Sequence, residues 1–208
     1  MSVVERLRRR LDRDSVVVFG DGDVLVEPMH RRDLRAGVLD LERVAYPNGG
    51  WSQRVFASEL DQMRLGARHY VVARAGRRAT ADGRGVATPN SAILGHAGLM
   101  FVADEAHVTT VAVRPDRRRS GTATRLLLVL ADEAIRRGMG AWTLEVRASS
   151  HGAQELYRAF GFVPAGIRQG YYDAVGDEPR EDAIVMWCHD IQSADYRTRL
   201  DRLRARHP

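Results

Sequence analysis

The stretch Val111-Ala112-Val113-Arg114-Pro115-Asp116-Arg117-Arg118-Arg119-Ser120-Gly121-Thr122-Ala123-Thr124 decides the reading of this chain. A β-rich run ends, a loop of arginines and small residues follows, and a long amphipathic pattern begins. The start of a helix presents unpaired N–H groups and a partial positive charge. Phosphate binds readily at such a point. Gly121 and Ala123 let the backbone come close to a pyrophosphate, and Pro115 and Asp116 shape the entry turn. The Gly-Lys-Ser/Thr of a Walker A loop is missing, and so is G-x-G-x-x-G spacing. Loop chemistry alone leaves two readings open, a phosphate site and an ordinary basic strand-to-helix turn.

Working outward, Leu127, Leu130, Ala131, Ala134 and Ile135 share one face of a helix predicted over Thr124–Arg137, which Gly138 stops. Trp142–Val146 reads as a strand and Ala153–Phe160 as a helix ended by Gly161. Phe162–Arg168 and Ala183–Trp187 read as strands joined by a long loop. Upstream, Ile93–Val102, His107–Val113 and Tyr70–Arg74 are strands, and Gly76–Asn90 is a loop. Val16–Phe19 and Val24–Glu27 suggest a hairpin around Gly20-Asp21-Gly22-Asp23. That turn lacks the later ligands of a calcium loop. Leu34, Val38, Leu41 and Val44 predict a helix over Asp33–Val44. Ser52 looks like the N-cap of a second helix burying Val55, Phe56, Leu60 and Met63. The order β-α-α-β-β-β-α-β-α-β-β implies an α/β fold with a mixed central sheet and helices on both faces. The domain is expected over 24–189, with an N-terminal extension (1–23) and a polar, partly helical tail (190–208).

The 208 residues carry a formal charge of +5 and contain no lysine, so arginine is the main cation. That excludes a Schiff-base lysine and favours planar recognition of phosphate or carboxylate. An anionic ligand, a nucleoprotein partner or simply a solvated basic surface would all fit. A single cysteine, Cys188, allows no internal disulfide and fits a reducing, cytoplasmic setting. No apolar run of about eighteen residues is present, so no membrane span is expected. Met1–Asp14 is arginine-rich without an apolar core after it, and reads as a short amphipathic helix or a tail. The histidines show no metal-ligand spacing, and no metal site is expected. Direct nucleic-acid binding is not expected either.

Arg118-x-x-Gly121-x-Ala123 resembles the Q/R-x-x-G-x-G/A signature of GNAT superfamily N-acetyltransferases. Leu144-Glu145-Val146-Arg147-Ala148-Ser149, then Ala153-Gln154-Glu155-Leu156-Tyr157-Arg158-Ala159-Phe160-Gly161-Phe162, is similar to a block of the ribosomal-protein-alanine N-acetyltransferases. Ile167–Tyr172 and Glu181–Met186 match that family too, and the likeness covers roughly Val24 to Trp187. The resemblance implies the GNAT (acyl-CoA N-acyltransferase) fold and acetyl-CoA as co-substrate. It implies strand positions Val111, Ala112 and Val113 along the pantetheine arm, and Arg118, Arg119, Ser120, Gly121, Thr122, Ala123 and Thr124 at the pyrophosphate. Glu145 would be the general base and Tyr157 the general acid. Ser150 stands where the family usually has an asparagine near the cofactor, and Ala123 replaces the commoner second glycine.

The residues fit that chemistry. Glu145 alternates away from Trp142 along its strand. Tyr157 lies on an apolar stripe, its hydroxyl seeking a partner. An α-amino group, with a pKa of about 7.7–8.0, needs only a modest base, and a thiolate leaves more easily if a tyrosine donates to it. Cys188 is the rival nucleophile, but its neighbour His189 would point to the opposite strand face. For the acceptor, Tyr171 and Tyr172 are expected to form one wall, and Glu42, Tyr46 and Trp51 another. The resemblance implies a protein N-terminus as acceptor, the N-terminal alanine of small-subunit ribosomal protein eighteen. The alternatives are a small-molecule amine (an antibiotic or polyamine) and a non-catalytic acetyl-CoA-binding module.

Overall fold

Strand Arg68–Ala75 sends Val71 and Ala73 into one apolar cluster and Tyr70 and Val72 into another. That alternation is the pleat of a strand covered on both faces. The computed structural model describes residues 17–19, 23–47, 49–76, 91–174 and 179–208. Expectations for Met1–Asp14, for Gly20-Asp21-Gly22 and for all but Gly76 of the 76–90 loop fall outside them. Eight strands are described: β1 (Val17–Phe19), β2 (Val24–Pro28), β3 (Arg68–Ala75), β4 (Ile93–Val102), β5 (Glu105–Val113), β6 (Ala141–Arg147), β7 (Val163–Tyr172) and β8 (Glu181–Cys188). They form one sheet in the order β1-β2-β3-β4-β5-β6-β8-β7. Only β5 and β6 pair in parallel; the other pairs are antiparallel.

The helical segments are α1 (Arg31–Asp33), α2 (Leu39–Ala45), α3 (Gln53–Arg64), α4 (Thr122–Arg136), α5 (His151–Ala159) and α6 (Ala194–Arg206). One face of the sheet packs on Leu34, Val38, Leu41, Phe56 and Leu60, and the other on α4, α5 and α6. The expected single helix over Asp33–Val44 is interrupted. A π-type turn spans Leu34–Val38, with Gly37 at φ 143°, a conformation that favours glycine. Leu34, Val38 and Leu41 are buried as expected, whereas Val44 is exposed. Ser52 does cap α3, its Oγ accepting from Val55 N at 3.3 Å, but Val55 itself faces solvent. Residues 190–208, expected as a polar tail, bring Ile191, Tyr196, Leu200 and Leu203 into the main core. Among the described residues no helix is long and apolar enough to cross a membrane.

One irregularity positions the site. Between β4 and β5 the register runs Gly98↔Thr110 and then Leu99↔Val108, leaving Thr109 as an extra residue. An inserted residue flips every later side chain to the other face. Thus Ala106 and Val108 lie in the α4-side core, but Ala112 lies in the opposite one. Tyr70 anchors the bulge: its Oη donates to Glu59 Oε2 at 2.7 Å and lies 3.0 Å from Thr109 Oγ1. The Tyr70 ring occupies the space over Gly98, where a Cβ would meet Tyr70 Cε1 at 2.1 Å. Gly98→Ala is therefore expected to destabilise the fold by about 1–3 kcal/mol through overpacking, lowering the thermal midpoint by several degrees. Melting followed by circular dichroism checks this, and an unchanged midpoint would show that the ring yields without cost.

Candidate active site

The two central strands part at the bulge. Strands β5 and β6 pair only from Glu105↔Ala141 to Val108↔Leu144. Beyond that, β5 stays with β4 as far as Gly95↔Val113, and β6 stays with β8 as far as Arg147↔Ala183. The edges Thr110–Val113 and Glu145–Arg147 therefore face each other with no strand between them. A cleft of about 920 Å³ opens there, lined by both edges, the Arg117–Thr124 turn and the start of α5. That volume is near the top of the range for small-molecule sites. It suits a long ligand rather than a single small amine.

The turn into α4 forms the mouth of the cleft. Arg119 (φ 61°) and Gly121 (φ 81°) both adopt left-handed backbone. Alternation of this kind turns successive N–H groups toward one concavity that binds anions. The amides from Arg119 to Thr124 donate to no backbone carbonyl among the described residues; the first bond of α4 runs from Arg125 N to Gly121 O at 3.0 Å. Arg117, Arg118 and Arg119 line the cleft. Among the described residues none of the three pairs with a carboxylate. Ser120 Oγ donates to Arg117 O at 2.6 Å and sits 2.9 Å from Thr122 Oγ1, which fixes the turn from within. Unpaired amides, open strand edges and uncompensated guanidiniums together fit a pyrophosphate carried on an extended arm.

At the inner end, Glu145 and Tyr157 both line the cleft. The Glu145 side chain is 9 % exposed and held from two sides, Oε2 at 3.1 Å from His107 Nε2 and Oε1 at 3.0 Å from Arg168 Nη2. The His107 hydrogen bond, with the charges of His107 and Arg168 adding to it, keeps the carboxyl below its ordinary pKa against the opposing effect of burial. His107 Nδ1 lies 2.8 Å from Thr143 Oγ1. The imidazole thus stands between Thr143 and Glu145, with one ring nitrogen toward each. Tyr157 is shifted the other way. Burial pushes its phenol well above the usual range, and Tyr46 and Tyr172 nearby add to the effect. Among the described residues its hydroxyl has no hydrogen-bond partner, so it is a protonated donor without a fixed acceptor. Tyr172, raised to about 12 by burial, donates through Oη to the Glu145 carbonyl oxygen at 3.3 Å. The Arg147 guanidinium lies 4.1 Å over the Tyr172 ring and pairs with Glu181 at 2.8 Å.

Other sequence-predicted positions fare differently. Val111, Ala112, Val113 and Ser150 line the cleft. Ser150 precedes α5 without a side-chain cap bond. The expected wall of Glu42 and Trp51 is turned away from the cleft. Glu42 is buried, its Oε1 accepting from Trp51 N at 2.9 Å and its Oε2 lying 3.0 Å from His96 Nε2. Trp51 packs edge-on against Phe56 and Tyr70. Of that group only Tyr46 reaches the cleft, donating from Oη to Val111 O at 2.7 Å. Tyr171 is exposed, its ring centroid 5.1 Å from that of Tyr172, which does line the cleft. Cys188 is buried, its thiol pushed up by burial and 3.7 Å from Phe160 O, outside the cleft. Sequence reading gave no role to His107 or Arg168. His107 sits beside Glu145 only because the parallel register sets His107 opposite Thr143, two residues before Glu145.

Comparison with known proteins places the chain in a family. Residues 36–162 match the family described as "Acetyltransferase (GNAT) family". The chain belongs to that family. It is 42 % identical over 99 residues to the ribosomal protein bS18-alanine N-acetyltransferase of Escherichia coli K12, a stretch covering 48 % of this chain and 66 % of that protein. The match to its Salmonella typhimurium counterpart is 45 % over 85 residues, covering 41 % of this chain and 56 % of that one. The chain thus spans less than two thirds of the length of these curated relatives. The crystal structure of the Escherichia coli ribosomal-protein-S18-alanine N-acetyltransferase superposes with a TM-score of 0.63 at 30 % identity, covering 80 % of this chain and 94 % of that one. Ard1 from Thermoplasma volcanium, at 18 % identity and a TM-score of 0.62 over 80 % of this chain and 97 % of its own, shares the fold.

Within this GNAT chain the state of Glu145 is set by its neighbours. Removing a favourable partner of a carboxylate raises its pKa. His107→Ala should make the Glu145 carboxyl titrate at higher pH than in the parent, read by NMR on protein with isotope-labelled glutamate. A titration moved to lower pH, or not at all, would show that His107 does not hold the charge.

Proposed function

We propose that this protein transfers the acetyl group of acetyl-CoA to the N-terminal α-amino group of a protein, with the N-terminal alanine of a small-subunit ribosomal protein as acceptor. The observation that carries the reading is the meeting, in one cleft, of an ionised carboxylate, a protonated tyrosine and a helix-start turn with free amides. The similarity to ribosomal protein bS18-alanine N-acetyltransferases supports the choice of acceptor. Acetyl-CoA supplies the acyl group, already activated as a thioester. The amides of Arg119–Thr124 hold its phosphates, and the open edge of Val111–Val113 runs along its arm.

The amine nitrogen attacks the thioester carbonyl carbon in a ternary complex, so the C–N bond forms as the C–S bond breaks. Glu145 takes the proton lost by the amine, directly or through a water. Its lowered pKa makes it a weak base. A weak base suffices for an α-amino group of pKa about 7.7–8.0, much less basic than a lysine side chain at about 10.4. Tyr157 gives its proton to the departing sulfur and regains one from solvent afterwards. Because burial keeps that proton on the phenol at neutral pH, the donor is always armed. Tyr46 and Tyr172 flank the acceptor approach. Among the described residues the carboxylates lining the cleft are Glu145 and Glu155, against Arg117, Arg118, Arg119, Arg147 and Arg206. That balance disfavours a polycationic acceptor such as a polyamine. We place the reaction in the cytoplasm, where a ribosomal protein would be met.

Glu145→Gln and Tyr157→Phe should each slow acetyl transfer by about 10²–10⁴-fold while leaving coenzyme binding within a few-fold of the parent. Mass spectrometry on alanine-initiated peptides, N-terminally blocked controls and a panel of small amines gives the readout. Label confined to small amines removes the peptide acceptor. Full turnover in either variant removes that residue from the chemistry.

A further inference from the structure

The last helix does more than pack. Ser193 caps α6, Tyr196, Leu200 and Leu203 seat it in the core, and Arg204 pairs with Asp132 of α4. Its end then crosses the start of α4. Arg125 Nη2 donates to Pro208 O at 3.0 Å, and a Cβ added to Gly121 would meet His207 Nδ1 at 2.7 Å. Leu203, Arg206 and His207 consequently line the same cleft as the Arg117–Thr124 turn. A second hollow of about 430 Å³ adjoins it, sharing Ala159, Leu203 and Arg206 with the cleft and adding Arg199 and Arg202. Arg199, Arg202 and Arg206 recur at helical spacing, so they form one ridge.

This ridge lacks counter-charge. Among the described residues neither Arg202 nor Arg206 pairs with a carboxylate, and Asp195 is the one acidic residue lining the hollow. Arg117, Arg118, Arg119 and Arg206 line the cleft and Arg202 the adjoining hollow, and among the described residues none of these five pairs with a carboxylate. The crowding is felt by His207, whose pKa is lowered by burial first and then by Arg125 and Arg206. A helix C-terminus carries about half a negative charge. Two full guanidinium charges outweigh it, so the site remains cationic.

We infer that the Arg202–His207 end of α6 is the second jaw of an anion clamp, closing with the Arg117–Thr124 turn on the phosphates of the bound nucleotide. Arg206 reaches them from within the cleft and Arg202 from the adjoining hollow. Guanidinium forks suit phosphate oxygens in pairs. The clamp rests on the cleft holding coenzyme A, and it assigns that binding to a segment past residue 162, where the family match stops.

The test uses the full chain, with calorimetry for coenzyme A and NMR shift titration for pantetheine, which lacks the phosphates. Arg206→Ala should weaken coenzyme A binding roughly tenfold, and Arg202→Ala with Arg206→Ala further, while pantetheine affinity stays put. The salt dependence of coenzyme A binding should flatten in the double variant. Coenzyme A affinity within twofold of the parent overturns the clamp. So does an equal loss for pantetheine, which would mean a disturbed cleft, or tighter coenzyme A binding, which would make the α6 end an obstruction. A parent protein that binds no coenzyme A defeats the proposed function instead, so the two failures are distinct.

Discussion

Two parallel strands that share hydrogen bonds over only four residue pairs, Glu105–Val108 against Ala141–Leu144, set the terms for everything around them. A sheet normally satisfies its backbone groups throughout, since a buried amide or carbonyl left alone costs about 1–3 kcal/mol. Here the extra residue Thr109 turns β5 aside, and the inner edges of β5 and β6 end up facing a cleft. The fold in effect carries two strand edges inside itself. Tyr46 meets one exposed carbonyl, that of Val111, and Tyr172 meets that of Glu145. Both tyrosines come from outside the two strands, so the flanking segments stabilise an opening that the sheet alone would close.

The same opening sorts two titratable groups in opposite directions. Glu145 lies where His107 and Arg168 reach its two oxygens, and its charged form is favoured. Tyr157 lies deeper, among other phenols and apolar side chains, and its neutral form is favoured. Residue type already makes the first an acceptor of protons and the second a donor at neutral pH, and the environment widens the gap between them. In the proposed reaction those are the two needs of the amine and of the departing thiolate. His107 and Thr143 serve Glu145 as a positioning pair: the Thr143 contact at one ring nitrogen orients the imidazole so that the other meets the carboxylate.

Much of this was legible in the chain, and the pattern of success has a physical cause. Local chemistry reads well. The helix-start turn at Gly121, the Ser52 cap and the left-handed glycines Gly138 and Gly161 all sit where short-range rules put them. Interactions that depend on register do not read. The juxtaposition of His107 with Glu145 needs the parallel pairing of β5 and β6, and no spacing within either strand encodes it. Gly37 escaped notice because a π-type turn keeps the apolar residues Leu34, Val38 and Leu41 on one side, so the helical pattern survives the break. Glu42 looked like an acid for an acceptor wall, yet its carboxylate serves Trp51 N and His96 within the fold. In α6 the apolar spacing of Tyr196, Leu200 and Leu203 was present, but five arginines from Arg197 to Arg206 masked it.

The charge layout gives the cleft a direction. Arginine stays protonated at any pH the protein meets, so the cationic mouth does not titrate. Unit charges about 4 Å apart interact by about 4 kcal/mol at an effective dielectric constant near 20, enough to decide which end of a ligand stays there. Deeper in, Tyr46, Tyr157 and Tyr172 offer neutral hydroxyls and apolar rings, and the charge of Glu145 is already shared with Arg168. A molecule with several phosphates at one end and an uncharged acyl group at the other can therefore enter in one sense only. Reversed, it would set phosphates beside Glu145 and strand the arginines against a neutral tail. Orientation is thus achieved by long-range charge before any close contact forms, and the short-range geometry at Glu145 and Tyr157 is left to act on the one end that reaches it.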